Sequence, residues 1–562
     1  NVTKVDPTSW HVQLHQAGLN FKEGETYSLR FRARADSKRS MSVSSGLDQA
    51  DWHHTGLDAS AQLTGTWKTF QYLFTAHDTV PDHGRLAFIL GTRVGTVWLA
   101  DVSLRHGLIE PPILPGQSPA MHNIPIPPTP FLQQRADWLQ FLEDTERNFA
   151  VDMRNYLKDD LHFKPMVICS QVSYGGLAGD YREAPMDFVD NHSYWQHPSF
   201  PGRPWDAVNW NIGNTSMTLA LGKGDELIRL ARERVAGKPY TVSEYNHPAP
   251  SEYQSETVPL LASFAAFQDW DALYLFDYGG YGAGAANDKI QGFFAVNSNP
   301  AKWAFVPAAA MIFRAGETVS PSATNELDVS SGLDIDHYSS ASDIYRLLGA
   351  TAPDPFSSRI GFAPRDGANL QITAQPTLIH PAMNQSPPGA SAVQPSASNL
   401  AASSHLTVTN ADPKTAHYTA NGTGAKVIVG FVGGQTVTLG EATFTFGEMP
   451  NNFAALTLTA QDQKPLAASN RMLLTVADRV ENTGMVWNAA HTSVGDQWGT
   501  GPTVADGVPV DVSLRTAELL SVFALDATGK RDHRIIATYE AGGLHFKVGP
   551  EDKTLWYAVV KE

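Results

Sequence analysis

Between Pro239 and Pro248, in PYTVSEYNHP, the residue types change abruptly from apolar to ionisable. Tyr240, Thr241 and Val242 have the composition of a short buried strand, and Glu244 is the first ionisable group after them, followed by Tyr245, Asn246 and His247. A carboxylate delivered by a strand tip among aromatic and imidazole neighbours suits chemistry better than packing. On these ten residues alone the alternative stays open, an ordinary strand-end glutamate paired with a surface arginine, so other strand tips must decide.

Those tips belong to a regular alternation. PMVICS is strand-like and is tipped by Gln171; MDFVD ends at Asp190 and leads into NHSYWQHP; the helical pattern TSMTLALGKGDELIRLARERVAG leads to YTVS and Glu244. ETVPLLASFAAFQDW then reads as a helix, and ALYLF as a strand tipped by Asp277, Tyr278 and Gly279. Buried runs separated by helices predict a parallel sheet with crossovers, and polar residues at the same end of each run are the pattern of a (β/α) barrel's catalytic face. Asp190, His192 and Tyr194 are thereby expected beside Glu244, with Gln171 and Asp277 from the flanking tips. His192, His197 and His247 lack regular ligand spacing, so no metal is expected in the chemistry.

Bulk properties narrow the function classes. A chain of 562 residues suits about three or four domains. A formal charge of -16, with 17% charged residues and no basic run, argues against nucleic acid and against anionic membrane surfaces. No apolar run approaches the roughly 20 residues that span a bilayer, and Asn1 opens neither a basic nor an apolar leader segment. Cys169, the single cysteine, excludes an internal disulfide and is expected to be a buried, inert thiol within MVICS. The 13 Trp and 17 Tyr supply flat amphipathic rings of the kind that sugars stack against.

The remaining elements organise the chain as a multidomain α+β protein. Residues 1–108 alternate apolar and polar in WHVQL, TYSLRFRARA, MSVSSGL, WKTFQYLFTA, RLAFILG and VGTVWLADVSL, which predicts an antiparallel β-sandwich. Within it Trp67 and Trp98 are expected in the core, whereas Trp52, in the polar loop QADWHHTG, is the sugar-stacking candidate. Residues 109–130 are a Pro-rich linker. The barrel portion, 131–315, opens on an amphipathic helix with Trp138, Phe141, Leu142, Phe149, Met153, Tyr156 and Leu157 at helical spacing, and Glu143 and Glu146 as solvated charges. Residues 316–403 form an irregular connector with a low-complexity loop from Asn384, and 404–562 return to repeated strand and turn, a C-terminal β-sandwich. Trp487 and Trp498, in a loop of that last segment, are placed to reach the barrel's mouth or to pack between domains.

Two resemblances follow from these segments. Trp10 ahead of VQLHQAGL, GETYSLRFRARA, TGTWKTFQYLFTA, RLAFILG and VGTVWLADVSL resemble carbohydrate-binding modules of the family 4/9 type, which implies a jelly roll with a structural calcium site. FVDNHSYW, TVSEYN and QDWDALYLFDY resemble strands six, seven and eight of the retaining glycoside hydrolases of clan A, nearest to family 5. That likeness implies Glu244 as the catalytic nucleophile, His192 and Tyr194 as groups that position it and contact sugar hydroxyls, and Tyr278 as an aromatic platform. Gln171, Asp190, Trp195, Tyr245 and Asp277 complete the expected substrate contacts.

Such chemistry needs two carboxyl groups about 5 to 5.5 Å apart. No Asn-Glu pair of the kind that supplies the clan's acid/base occurs before Gln171; Asn325 and Glu481 fall in the wrong segments, and Glu183 and Glu252 read as loop charges. Only strands five to eight of a barrel are found, so strands one to four and the acid/base are expected upstream of Asn1 or on a separate fragment. The expectation is a secreted or periplasmic retaining β-glycosidase acting on plant-type polysaccharide, cellulase- or mannanase-like, without a catalytic cofactor. The alternative is a non-catalytic carbohydrate-binding protein with a degenerate barrel.

Overall fold

Two units, Asn1–Leu142 and Glu143–Glu562, make up the chain in the computed structural model. The structure describes residues 1–107, 116–124, 132–279, 288–314, 323–328, 354–363, 377–379, 406–540 and 542–562. Among them no helix is long and apolar enough to cross a membrane.

Period-2 alternation builds the first unit. Its strands are β1 (Gln13–Leu19), β2 (Thr26–Ala35), β3 (Arg39–Leu47), β4 (His54–Leu63), β5 (Lys68–Thr75), β6 (Gly84–Ile89) and β7 (Val97–His106). They form two antiparallel sheets, ordered β1-β6-β3-β4 and β5-β2-β7. Along β2, Leu29, Phe31, Ala33 and Ala35 point inward and meet Met41, Val43, Leu63 and Phe88, while Arg30, Arg32 and Arg34 point outward. Burying one such apolar side chain contributes roughly 1.5 to 3 kcal/mol, which drives the two sheets together as a β-sandwich. Trp67 and Trp98 depart from their expected core positions. The register pairs Arg34 with Trp98, which puts Trp98 on the outer face, and the Arg34 guanidinium lies 4.0 Å from the Trp98 ring centroid and 5.4 Å from that of Trp67.

Helix α1 (Leu132–Asn155) runs from the first unit into the second. Arg154 and the following Lys158 hold it by ion pairs of 2.5 and 2.7 Å to Asp187. Ala150 faces inward, whereas Phe149, Met153 and Tyr156, at i, i+4 and i+7 on one face, are 61%, 46% and 51% exposed. The helix is amphipathic as expected, but this apolar stripe faces outward. Glu143, expected to be solvated, is buried, and Glu146 pairs with Arg182 at 2.9 Å.

PMVICS forms an extended segment rather than a strand. Its contact with the sheet is a parallel bridge from Gln171 to Asp190, a hydrogen bond from the Val172 amide to the Asp190 carbonyl at 2.9 Å, and one from the Asp187 amide to the Val167 carbonyl at 3.0 Å. The reason lies in α2 (Leu177–Glu183). The wholly buried Glu183 carboxylate accepts from the Cys169 and Ser170 amides at 3.1 and 3.0 Å and from Arg182 Nε at 2.7 Å, so a side chain takes the place of ladder partners. Glu183 is therefore a structural anchor rather than a loop charge, and Cys169 is exposed at this edge rather than buried.

Three parallel strands follow, β8 (Val189–Tyr194), β9 (Tyr240–Asn246) and β10 (Ala272–Leu275), ordered β10-β9-β8. Between β8 and β9 the long expected helix contracts to α3 (Glu226–Arg232). Gly222 and Gly224 adopt left-handed backbone, and Asp225 then caps the helix by accepting from the Ile228 amide at 2.9 Å. Helix α4 (Thr257–Gln268) is buried on every side, as its uniformly apolar sequence demands. It lies in a core where Val242, Tyr245, Phe264 and Phe267 from this layer meet Tyr418, Val429 and Phe453 from the C-terminal segment. Two short helices, α5 (Pro300–Trp303) and α6 (Val306–Arg314), complete the layer. Among the described residues, three parallel strands and one bridged segment leave the sheet open at the 165–171 edge.

In the segment expected to be irregular, β11 (Ala323–Asp328), β12 (Ser358–Ala363) and β13 (Thr377–Ile379) form a parallel sheet ordered β12-β11-β13. The low-complexity loop from Asn384, and the linker apart from residues 116–124, lie outside the described residues. From Leu406 onward an eight-stranded and a five-stranded antiparallel sheet enclose a core of Ile428, Phe444, Leu456, Leu474, Val512 and Phe546, making a second β-sandwich. Its larger sheet turns its other face to α4, where Ser263 Oγ and the Tyr418 hydroxyl are 3.0 Å apart.

One buried lysine pins the end of β9. Lys302, fully buried in α5, donates from Nζ to the His247 carbonyl at 2.6 Å. Burial lowers its pKa to about 7 despite the opposing pull of the Asp277 charge. An unfolded chain keeps this lysine protonated to about pH 10.4. Between these values the unfolded state binds the extra proton, so stability rises as pH increases from about 7 toward 10. Lys302→Met should flatten that rise, read as the change in urea unfolding free energy between pH 7 and pH 9 relative to the unsubstituted chain. Glu183→Gln should cost about 1 to 3 kcal/mol, because it replaces the buried carboxylate shared by Arg182 and the Cys169 and Ser170 amides and leaves Arg182 with Glu146 as its remaining charge partner, and the same unfolding curves check it.

Candidate functional site

The position of Glu244 depends on an irregularity in β9. On one side Asn191 pairs with Val242 but His192 pairs with Glu244; on the other, Leu273 pairs with Val242 and Leu275 with Tyr245. Both neighbouring strands thus see one extra residue in β9 between Val242 and Tyr245, a β-bulge. Strict alternation would put Ser243 and Tyr245 on one face and Glu244 on the other. With the bulge, Ser243 and Glu244 both face the β8 side chains, and Tyr245 turns into the apolar core, wholly buried, its hydroxyl 2.9 Å from His247 Nε2. Tyr245 is therefore a core residue and not the substrate contact that the sequence pattern suggests.

Around Glu244 the contacts are dense. The Tyr194 hydroxyl donates to Glu244 Oε2, and His192 Nδ1 lies 3.4 Å from the same oxygen. Burial, the hydrogen bond to Glu244 and the charges of Glu244 and Asp277 all push the Tyr194 phenol well above its usual range, so it stays a proton donor. His192 Nε2 is 2.7 Å from Ser243 Oγ, which in turn donates to Asp190 Oδ2 at 2.5 Å. Since Ser243 has one proton and gives it to Asp190, the hydrogen between His192 and Ser243 belongs to Nε2. Thr241 Oγ1 donates to the other Asp190 oxygen, also at 2.5 Å. Asp190 is 2% exposed and both its oxygens are occupied, so it orients this chain of groups instead of meeting substrate as expected. Glu244, with 32% of its side chain exposed, is the carboxylate of this network that opens to solvent.

The other expected contacts divide. Asp277 acts on the site through charge, on Tyr194 and Lys302, and its backbone is tied to Phe294 and Val296. Tyr278 is 69% exposed with its ring 6.0 Å from Trp303. Gln171 stands at the open edge, its carbonyl accepting from Arg182 Nη2 at 2.6 Å. Trp195 is partly buried, packs against the core and donates Nε1 to the Thr215 carbonyl at 2.8 Å. Glu252 pairs with Arg479 at 3.3 Å and accepts from Asn214 Nδ2 at 3.1 Å.

Sequence reasoning missed an aromatic wall beside Tyr194. Its ring lies 4.9 Å from Phe294 and 5.4 Å from His197, and the contacts continue through Trp205 and Phe200 to Phe293, Trp210 and Trp498. The tryptophans were visible in the sequence, but their convergence needs a loop of the C-terminal segment. The Ile212 amide donates to the Thr492 carbonyl at 2.8 Å and Trp210 Nε1 to the Gly495 carbonyl at 3.1 Å, so that loop packs on the one following β8.

The first unit carries a separate candidate surface. On the outer face of β1-β6-β3-β4, register aligns Gln13, Ile89, Ser42 and Ser60 in one row and His15, Ala87, Ser44 and Asp58 in the next. Trp52, 55% exposed, lies with its ring centroid 5.3 Å from the Arg85 guanidinium at the edge of this polar field. Its loop is fixed by His53, which is 2.7 Å from Asp51 Oδ2 and 2.9 Å from the Asp78 carbonyl. Among the described residues no group of three His, Cys, Asp or Glu is placed to hold a metal ion.

Comparison with known proteins bears on this unit. Similar solved structures include one described as "CBM4 structure and function", 26% identical over 19% of this chain and 67% of that chain, with a TM-score of 0.18. The first and second N-terminal cellulose-binding domains of β-1,4-glucanase C from Cellulomonas fimi are each 29% identical. They cover 17% and 19% of this chain and 70% and 72% of theirs, with TM-scores of 0.16 and 0.17. No curated protein matches the chain. Residues 1–95 match the CBM_4_9 family model, "Carbohydrate binding domain", and the chain thus carries a carbohydrate-binding domain at its N-terminus.

Proposed function

We propose that this chain belongs to a retaining β-glycosidase that hydrolyses plant-type polysaccharide or oligosaccharide, with Glu244 as nucleophile. The observation that carries the reading is the bulge-presented Glu244, open to solvent and contacted by the Tyr194 hydroxyl and His192. Glu244 attacks the anomeric carbon as the bond to the leaving oxygen breaks, giving a glycosyl ester that water then hydrolyses through an oxocarbenium-like transition state. Tyr194 and His192 hold the carboxylate in one rotamer and adjust to its loss of charge as the ester forms.

The proton for the leaving group comes from a second carboxyl group. Glu183 and Glu252 are committed to Arg182 and Arg479, so this acid is supplied by a (β/α) segment outside these residues, on the same polypeptide or on a partner. Two features suit such a segment. The Ile168 backbone has no hydrogen-bond partner among the described residues, Met166 on the same segment is exposed, and so are Phe149, Met153 and Tyr156 along α1 and just past its end. A parallel strand pairing there, with its helix over α1, brings its tip next to Gln171. The N-terminal domain keeps the enzyme on its polysaccharide, raising the local concentration of substrate, and such a substrate places the enzyme outside the cytoplasm, secreted or periplasmic.

A second reading is favoured by the unclosed sheet together with the family match of residues 1–95: a carbohydrate-binding protein whose barrel layer is a scaffold. Turnover of dinitrophenyl β-glycosides and reducing-end release from soluble glucans and mannans separate the two. Under the enzyme reading, Glu244→Gln lowers kcat by about 10⁴-fold and azide restores turnover to Glu244→Ala. Retardation in polysaccharide gels without turnover, weakened about tenfold by Trp52→Ala and untouched by Glu244→Gln, would leave only the binding reading.

A further inference from the structure

The aromatic wall beside Tyr194 ends in a tryptophan that folding alone does not account for. Trp205 is 61% exposed. Its ring nevertheless has two ring neighbours, His197 at 5.6 Å in a T-shaped contact at 73° and Phe200 at 5.1 Å tilted by 49°. Two such contacts restrict the ring's orientation, and the 61% exposure leaves most of the indole open to a ligand. The backbone adds a second sign. Trp205 has φ of 56°, a left-handed conformation that a bulky residue rarely adopts and that persists only where the surrounding structure imposes it.

That surrounding structure is rigid. Ser199 and Asn211 exchange backbone hydrogen bonds of 2.8 and 2.9 Å across the base of the loop. Asp206 Oδ1 accepts from the Val208 and Asn209 amides at 3.0 and 3.1 Å. Trp210, 2% exposed, stacks on Trp498 at 5.7 Å and anchors the loop to the C-terminal segment. An exposed indole on such a scaffold is pre-organised, so a ligand meets no ordering cost on that side. His197 contacts both the Tyr194 ring, at 5.4 Å, and the Trp205 ring, at 5.6 Å, and Tyr194 donates to Glu244.

We propose that Trp205 is a stacking platform for a sugar ring one or more units away from the glycosidic bond positioned at Glu244, so that the site takes an oligosaccharide or longer chain. The inference rests on reading the Glu244 cleft as a glycan site. The apolar face of a pyranose covers the indole, while Arg203 and Asn209, on the same loop, supply donors for its hydroxyls.

The test uses the full chain carrying Glu244→Gln and 5-fluorotryptophan at its 13 tryptophans, observed by fluorine NMR. Trp205→Phe identifies the Trp205 resonance and Trp52→Phe that of the N-terminal domain. Cellohexaose, mannohexaose and xylohexaose are titrated separately, with glucose, mannose and xylose as controls. The expected result is a shift of the Trp205 resonance with at least one hexaose and none with the monosaccharides. A Trp205 resonance that stays in place at saturation with all three hexaoses overturns the proposal, whatever the Trp52 resonance does. In the active chain, Trp205→Ala should lower kcat/KM for that hexaose about tenfold more than for an aryl monoglycoside. A Trp205 shift in a chain that never turns over supports this platform while removing the enzyme reading, so the two can fail separately.

Discussion

One extra residue in β9 sets the chemistry of the second unit. Because side chains in a strand alternate, inserting a residue between Val242 and Tyr245 exchanges the faces of everything beyond it. Glu244 turns to meet Tyr194 and His192, and Tyr245 turns to the core shared with α4. A regular strand of the same sequence would bury the carboxylate among Phe264 and Phe267 and send the tyrosine to solvent. The bulge resolves this conflict between composition and pattern, and the cost of an unpaired ladder position is offset by the hydrogen bonds that converge on it.

The surrounding structure keeps this irregularity in place from both sides. On one flank the carboxylate of Asp190 collects the hydroxyls of Thr241 and Ser243, which ties the backbone before the bulge to β8. On the other, Asn246 Nδ2 reaches the Phe294 carbonyl at 2.8 Å and Lys302 takes the carbonyl of His247, which ties the backbone after it to the layer behind. Buried polar groups of this kind add little net stability but admit few alternative arrangements, because each misplaced partner leaves a desolvated group unmet.

Much of this was legible in the residues, for identifiable reasons. Tyr240 to Val242 read as a strand because their apolar and β-branched composition matches a mostly buried position, and Ala272 to Leu275 because a short apolar run follows the helix before it, although Tyr274 in that run is exposed. Glu244, Tyr194 and His192 could be grouped because strand tips in such a layer point the same way. The misreadings share a cause, which is that period-2 arguments assume a register. Tyr245 was assigned to the wrong face because a bulge has no clear signature in SEYN, and Trp98 because its partner Arg34 lies on a distant strand. Glu183 and PMVICS failed differently. A side chain replaced ladder partners, and nothing in the local pattern announces that.

The arginine between Trp67 and Trp98 gives the first unit a back and a front. Its guanidinium occupies the indole surface that a flat ring would otherwise use, so that side of the sandwich is chemically closed. The opposite sheet carries rows of hydroxyls and the exposed Trp52, whose ring lies 5.3 Å from the Arg85 guanidinium at the edge of those rows. The two faces of the domain therefore differ in chemistry, with guanidinium-covered indoles on one side and rows of hydroxyls on the other.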